Sequence, residues 1–299
     1  MRFPRSLQSA LLSASRDPHS TWIFSDTFNA TLMSGSVQRA AEVSISLEEI
    51  QARVEAASAG SSRPPTLVAV SKLKPAADIL TCHEDGHLDF GENYVQELAE
   101  KAAALPADIR WHFIGTLQSN KAKTLASIPN LHTVQTLTSV KTANILNDAL
   151  PADRVSPLNI FIQINTSSEG TKSGLPPLTA WSDVANSGVV QLAKSIITEC
   201  PKLRLQGLMT IGALRRSINA SQMEQNIDFE RLKETRELLH GILKSTFGES
   251  AQSRWGEDNR LLLSMGMSSD FEVALKAGSD VVRVGTGIFG ERPKKTDEN

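Results

Sequence analysis

From Val37 onward the chain alternates between two hydrophobic rhythms. Val43, Leu47, Ile50, Val54 and Ala57 recur at helical spacing and predict an amphipathic opening helix. The stretch from Gly60 to Pro65 breaks that pattern before the apolar run Thr66–Ser71, which reads as a buried strand. Seven further short runs follow: Leu88–Phe90, Trp111–Gly115, Leu131–Val134, Leu158–Ile164, Leu205–Ile211, Leu261–Met265 and Asp280–Val284. Helix-like segments separate them, among them Val95–Ala104, Val140–Leu150, Val189–Cys200, Phe229–Lys244 and Phe271–Ala277. Strands alternating with helices predict a parallel α/β fold.

Two architectures fit that alternation, a closed (β/α)8 barrel and an open doubly wound sheet. Open sheets with nucleotide sites carry a glycine-rich first turn, whereas the first strand here ends in Ser71-Lys72-Leu73-Lys74-Pro75. Eight strands in 299 residues therefore predict a single (β/α)8 TIM barrel over residues 34–299. Ala213–Asn226 and Pro176–Ser187 are polar and read as exposed loop insertions. Residues 1–33 stand apart. Arg2, Arg5 and Arg16, many serines and no acidic residue before Asp17 resemble a mitochondrial transit segment. A disordered extension, or initiation at Met33, accounts for the same composition.

A composition of 40% hydrophobic and 21% charged residues allows a large core. The formal net charge of −2 offers no basic excess to release counterions, which argues against nucleic acid as a partner. Cys82 and Cys200 lie far apart, without metal-ligand spacing, which fits a reducing, cytoplasmic setting and no zinc site. No apolar run approaches the ~18 residues of a membrane span.

In a barrel of this kind reactive groups cluster where strands end. Val68, Val70 and Lys72 share one strand face. An amine at the end of an apolar strand is disfavoured as a charge, and a neutral amine is what Schiff-base formation needs. The bland alternative is a lysine reaching out to solvent. Lys74 is the weaker candidate, because Pro75 places it in the turn before a helix. At the other end of the chain, two successive strands run into small residues: Gly266-Met267-Ser268-Ser269, then Gly285-Thr286-Gly287. Turns after the last two strands of this fold commonly hold phosphate on backbone N–H groups. Ser264, Gly285 and Thr286 are candidate donors, unless the glycines are simply tight turns. Ser269 and Glu272 have the spacing of a capping box.

Arg283 interrupts Val281-Val282-Arg283-Val284, opposite the face of Val282 and Val284. A charge there needs a partner, either an ion pair inside the barrel or a polar ligand. Pointed at a pyridine nitrogen, an arginine leaves that nitrogen unprotonated, because it does not release its own proton. Such a site binds the ring but makes it a poor electron sink. Glu92, Asn93, Tyr94, His112, Glu169 and Lys172 also lie at strand ends, and chemistry alone assigns them no role.

The runs AVSKLKP (69–75), FGENYVQEL (90–98), WHFIGTLQSNK (111–121), INTSSEGTKSGL (164–175), GLMTI (207–211), LLSMGMSSDFEVAL (262–275) and VRVGTGIFGER (282–292) occur in order. Together they resemble the pyridoxal phosphate homeostasis proteins, barrels of the alanine racemase N-terminal-domain type. The resemblance implies pyridoxal 5'-phosphate (PLP) as a Schiff base on Lys72 and Arg283 near the pyridine nitrogen. It implies phosphate held by Ser264, Met265, Gly285 and Thr286, with Asn93 and Met209 beside the ring. It further implies a monomeric carrier in vitamin B6 homeostasis, without dedicated turnover, that passes PLP to PLP-dependent apo-enzymes. The main rival is an amino-acid racemase of the same fold. It is disfavoured because the second base in such enzymes comes from an added β-domain, and the lone tyrosine, Tyr94, lies on an early loop. A Schiff-base aldolase using the phosphate turns for a sugar phosphate is a third reading. The variant loop Glu169-Gly170-Thr171-Lys172 and the long stretch around Arg215–Gln225 depart from the family pattern.

Overall fold

The computed structural model describes residues 26–291, apart from 168, 171, 181, 182, 185, 213–225, 249–253 and 259, with side chains described from residue 35. Eight parallel strands close into a barrel in chain order. They are β1 (Thr66–Val70), β2 (Asp89–Glu92), β3 (Arg110–Phe113), β4 (Leu131–Leu137), β5 (Leu158–Gln163), β6 (Leu203–Met209), β7 (Leu262–Met267) and β8 (Val281–Val284). Closure runs through β8 and β1, from Thr66↔Val281 to Ala69↔Val284. The opening helix α1 (Asp26–Ala57) precedes the barrel. The others are α2 (Ala76–Glu84), α3 (Val95–Ala104), α4 (Ala122–Ala126), α5 (Val140–Ala149), α6 (Gly188–Glu199), α7 (Ile227–Phe247), α8 (Phe271–Lys276) and α9 (Thr286–Phe289).

The strands read as unbroken apolar runs because both faces are covered. Leu67, Ala69, Trp111, Phe113, Leu263, Met265, Val282 and Val284 face outward into the core shared with the helices. Val68, Phe161, Met209, Leu262 and Val281 form a small apolar cluster of their own inside the barrel. Around that inner cluster the inward positions are polar: His112, Gln135, Ser264 and Arg283 are all buried. α1 seals the seam of the barrel, lying against α2, α8 and α9. Arg39 donates to Asp78 (2.7 Å) and to the Phe289 carbonyl (2.9 Å), and Arg53 pairs with Glu272 (3.0 Å).

The structure amends the sequence reading in three places. α1 begins at Asp26, so residues 26–33, set apart above, are helical; residues 1–25 lie outside the described residues. The described residues of the Pro176–Ser187 stretch are irregular but anchored: Leu178 is buried, and its N–H donates to Thr235 Oγ1 of α7 at 3.1 Å. The capping box at Ser269 does not form. Asp270 holds the N-cap position and accepts from the Met267 N–H (2.7 Å), while Glu272 is taken by Arg53. The polar insertion at 213–225 lies outside the described residues, and Asn226 caps α7 through its side chain. No helix among the described residues is long and apolar enough to cross a membrane.

Candidate cofactor site

The chain leaves β1 through a tight turn built on Lys72. Lys74 N–H donates to the Ser71 carbonyl at 3.0 Å, so Lys72 and Leu73 are its central residues. Leu73 has φ 61, the left-handed value a type II turn demands at its third position and one a leucine adopts reluctantly. Neighbours hold it there. The Leu73 N–H donates to Glu97 Oε1 (2.6 Å), and Lys101 Nζ donates to the Ser71 carbonyl (2.8 Å), to Glu92 Oε1 (2.7 Å) and to Glu97 Oε1 (2.7 Å). Ser71 Oγ adds a bond to the same Glu92 oxygen (2.7 Å). Burial pushes the Glu92 carboxyl above its ordinary range, with Lys101 opposing. Glu92, which had no sequence-derived role, is thus a fastener of the turn that presents Lys72. Lys72 itself is half-buried. Lys74 Nζ is committed to the carbonyls of Phe289 (2.8 Å) and Glu291 (2.7 Å), which separates the two lysines.

The last turn of the barrel touches the end of β1. A Cβ on Gly285 would meet the Val70 carbonyl at 3.2 Å, two residues before Lys72, so the glycine permits this approach. Gly285 N–H donates to Ser268 Oγ at 3.1 Å, and Thr286 opens α9 at an exposed position. Ser268 was not singled out from the sequence. Only the last residues of β7, where Gly266 takes φ +94, and the turn that follows bring it to Gly285.

Ser264, expected to donate to phosphate, is fully buried inside the barrel, and its hydroxyl donates to Gln135 Oε1 at 2.7 Å. Met265 faces the outer core, and its N–H donates to Ser279 Oγ at 3.3 Å. Both groups are thus hydrogen-bonded within the protein. Met209 is at the inner end of β6.

Arg283 points inward as alternation predicted. Its guanidinium donates to two neutral oxygens, Ser264 Oγ and the Thr210 carbonyl (2.7 Å), and makes no ion pair among the described residues. Burial pulls it down to about 10, with Asp270 opposing, so it stays a cation at neutral pH. A buried cation held only by neutral oxygens is an unfinished arrangement. Asn93 adds to it: its Oδ1 is buried without a hydrogen-bond partner among the described residues. These features suit a flat, polar, phosphate-bearing group at the barrel mouth beside the neighbouring strands β1 and β8.

Comparison with known proteins assigns the class. The family model described as "Alanine racemase, N-terminal domain" matches residues 45–293, and the chain belongs to that family of barrels. A pyridoxal phosphate homeostasis protein of Schizosaccharomyces pombe is 40% identical over 247 residues, 83% of this chain and 92% of the relative. Its counterpart in Homo sapiens is 38% identical over 270 residues, 86% of this chain and 90% of the relative. Within the class, the chain belongs to the pyridoxal phosphate homeostasis protein family. A solved structure of PipY from Synechococcus elongatus with PLP bound is similar at a TM-score of 0.60 and 26% identity, covering 83% of this chain and all of PipY.

Proposed function

We propose that this chain binds PLP as a Schiff base on Lys72 and serves intracellular vitamin B6 homeostasis as a cytoplasmic, monomeric carrier. The observation that carries the reading is the contact of Gly285 with the end of β1, which puts the Lys72 turn and the phosphate turn on one rim. The relatives named for PLP homeostasis, and PipY with PLP bound, support it. Lys72 supplies the amine. The Thr286 N–H supplies a donor to the phosphate, and so does the Ser268 hydroxyl, which accepts from the Gly285 N–H and keeps its own proton to donate. Arg283 faces the ring nitrogen, and Asn93 and Met209 flank the ring.

When bound, PLP supplies an electron sink for amino-acid chemistry, and the residues here blunt it. Arg283 remains protonated and donates a hydrogen bond, so it gives the ring nitrogen no proton. The site therefore favours retention and transfer of the cofactor to PLP-dependent apo-enzymes over turnover. Borohydride reduction of the PLP-loaded protein followed by peptide mapping tests this. The expected result is a yellow protein with the label on Lys72, and a Lys72→Ala variant that loses the covalent adduct. Label elsewhere rejects the anchor, and sustained racemisation of common amino acids rejects the carrier role.

A further inference from the structure

A continuous line of buried hydrogen bonds runs through the barrel from Arg283 to the opposite mouth. Arg283 Nη1 donates to Ser264 Oγ, and Ser264 Oγ donates to Gln135 Oε1 at 2.7 Å. Gln135 Nε2 meets His112 Nδ1 at 3.1 Å, and His112 Nε2 meets Asp89 Oδ1 at 3.0 Å. Asp89 is clamped in turn by Arg110 through both carboxylate oxygens. The residues come from β8, β7, β4, β3 and β2. Ser264 and Gln135 are fully buried, and His112 and Arg283 nearly so.

The chemistry of the two ends forces the direction of every link. A guanidinium only donates, so Ser264 accepts from Arg283 and has its own proton for Gln135. That proton requires the carbonyl oxygen of Gln135, which turns its amide NH2 toward His112. Nδ1 of His112 must then accept, leaving the ring proton on Nε2, directed at Asp89. An ionised carboxylate only accepts, so the other end demands the same order. Burial pushes Asp89 up, but the hydrogen bonds from His112 and Arg110 outweigh it and hold the carboxyl well below its usual range. The column therefore has one self-consistent arrangement, anchored by an anion at one mouth.

Asp89, His112 and His132 also place ligand atoms within 4.8 Å of one another. A cation there would have to displace the guanidinium of Arg110 from Asp89 and take the Nε2 position that already faces Asp89. The hydrogen-bonded column accounts for these side chains without that conflict.

We propose that Asp89, His112, Gln135 and Ser264 are positioning residues that together orient Arg283, and so set how tightly and in what electronic environment the cofactor ring is held. The inference rests on the reading of Arg283 as the partner of the ring nitrogen. Disorder in the column lets the Ser264 hydroxyl rotate and releases one of the two oxygens that hold the guanidinium.

Two measurements test it. In PLP titrations, Gln135→Met raises the dissociation constant about tenfold, the scale of one hydrogen bond to a charged group, and shifts the absorption maximum of bound PLP. In an Arg283→Gln background the same substitution changes the constant by less than about twofold, because its effect acts through the arginine. Equal effects in both backgrounds, or a lowered melting temperature with an unmoved spectrum, overturn the proposal. The second measurement needs no cofactor. Nitrogen-15 spectra of histidine-labelled, ligand-free protein are expected to show His112 as the Nε2–H tautomer, with ring signals that move in Ser264→Ala. A stationary His112 signal rejects the column even if PLP binds. A wild-type protein that binds no PLP, yet shows the moving signal, faults the functional reading and leaves the column standing.

Discussion

The two mouths of this barrel are built on opposite principles. At the amino-terminal mouth, charges satisfy one another: Arg110 pairs with Asp89, Arg63 with Glu257, and Arg260 with Asp280. All of these except Arg260 line a polar cavity of about 350 Å³, with His132 also on its wall. At the carboxyl-terminal mouth the arrangement is incomplete. Leu73 takes a left-handed backbone, the Asn93 carboxamide oxygen has no partner among the described residues, and Arg283 is held by neutral oxygens. One sheet thus supports an end rich in ion pairs, where Arg204 Nε alone of the cavity-lining side chains is buried without a partner among the described residues, and an end that leaves Asn93 Oδ1 and Glu92 Oε2 so. The two ends differ in kind: ion pairs dominate one, and neutral oxygens hold the buried cation of the other.

This contrast can be broken most severely at Gly115. A Cβ there would lie 1.9 Å from the Asn93 carbonyl oxygen, a backbone atom with no room to retreat. Gly115→Ala is expected to cost about 3 kcal/mol or more by urea denaturation and to weaken PLP binding as well, because Asn93 must move. Retained stability with normal binding would show that the loop after β2 is less tightly packed than it stands here.

A smaller effect is expected at the opposite mouth from His132. Burial holds its imidazole down, from 6.5 to about 4, so the folded protein keeps it neutral. Between those values the unfolded chain binds the extra proton and the folded one does not, so stability falls as pH drops from 6.5 toward 4. The loss should reach about 2 kcal/mol, reduced from the full linkage value because the side chain lines an open cavity. His132→Gln should flatten the slope between neutral pH and pH 5, above the range where carboxylates titrate. An unaltered slope would assign the acid sensitivity elsewhere.

The mildest change sharpens the comparison. Arg260 is partly exposed and pairs with Asp280, whose carboxylate also accepts from the Leu263 N–H at 2.8 Å. Arg260→Ala should lower stability by about 1 kcal/mol and leave PLP affinity untouched. Weakened PLP binding would show that the two mouths are less independent than their ion pairs suggest.

Much of the barrel is legible in the chain because both strand faces are buried, so each strand announces itself as an apolar run. All eight expected strands are present, and Val95–Ala104 is a helix with the bounds its periodicity gave. Period-two alternation also sent Arg283 inward. Site chemistry was only half legible. Gly285 and Thr286 stand out because two consecutive final strands run into small residues, and Pro75 puts Lys74 in the turn, where its Nζ bonds the Phe289 and Glu291 carbonyls. The partners of Ser264 were not legible, because a serine beside a promising turn looks the same whether it faces the mouth or the interior. Ser268 and Glu92 went unassigned, since their partners Gly285 and Lys101 are fixed by a turn and a helix docking that local spacing does not encode.

What the sequence determined by itself was the count of strands, the alternation of faces in the first and last of them and the residue types at their ends, since these follow from periodicity and local turn chemistry. What only the tertiary structure decided was partnership. Gln135 and Ser264 are 129 positions apart and meet because closing the barrel brings β4 and β7 across a shared interior. Hydrogen bonds need atoms within about 3 Å of one another, and in a closed sheet that proximity is created by the closure, not by any spacing along the chain.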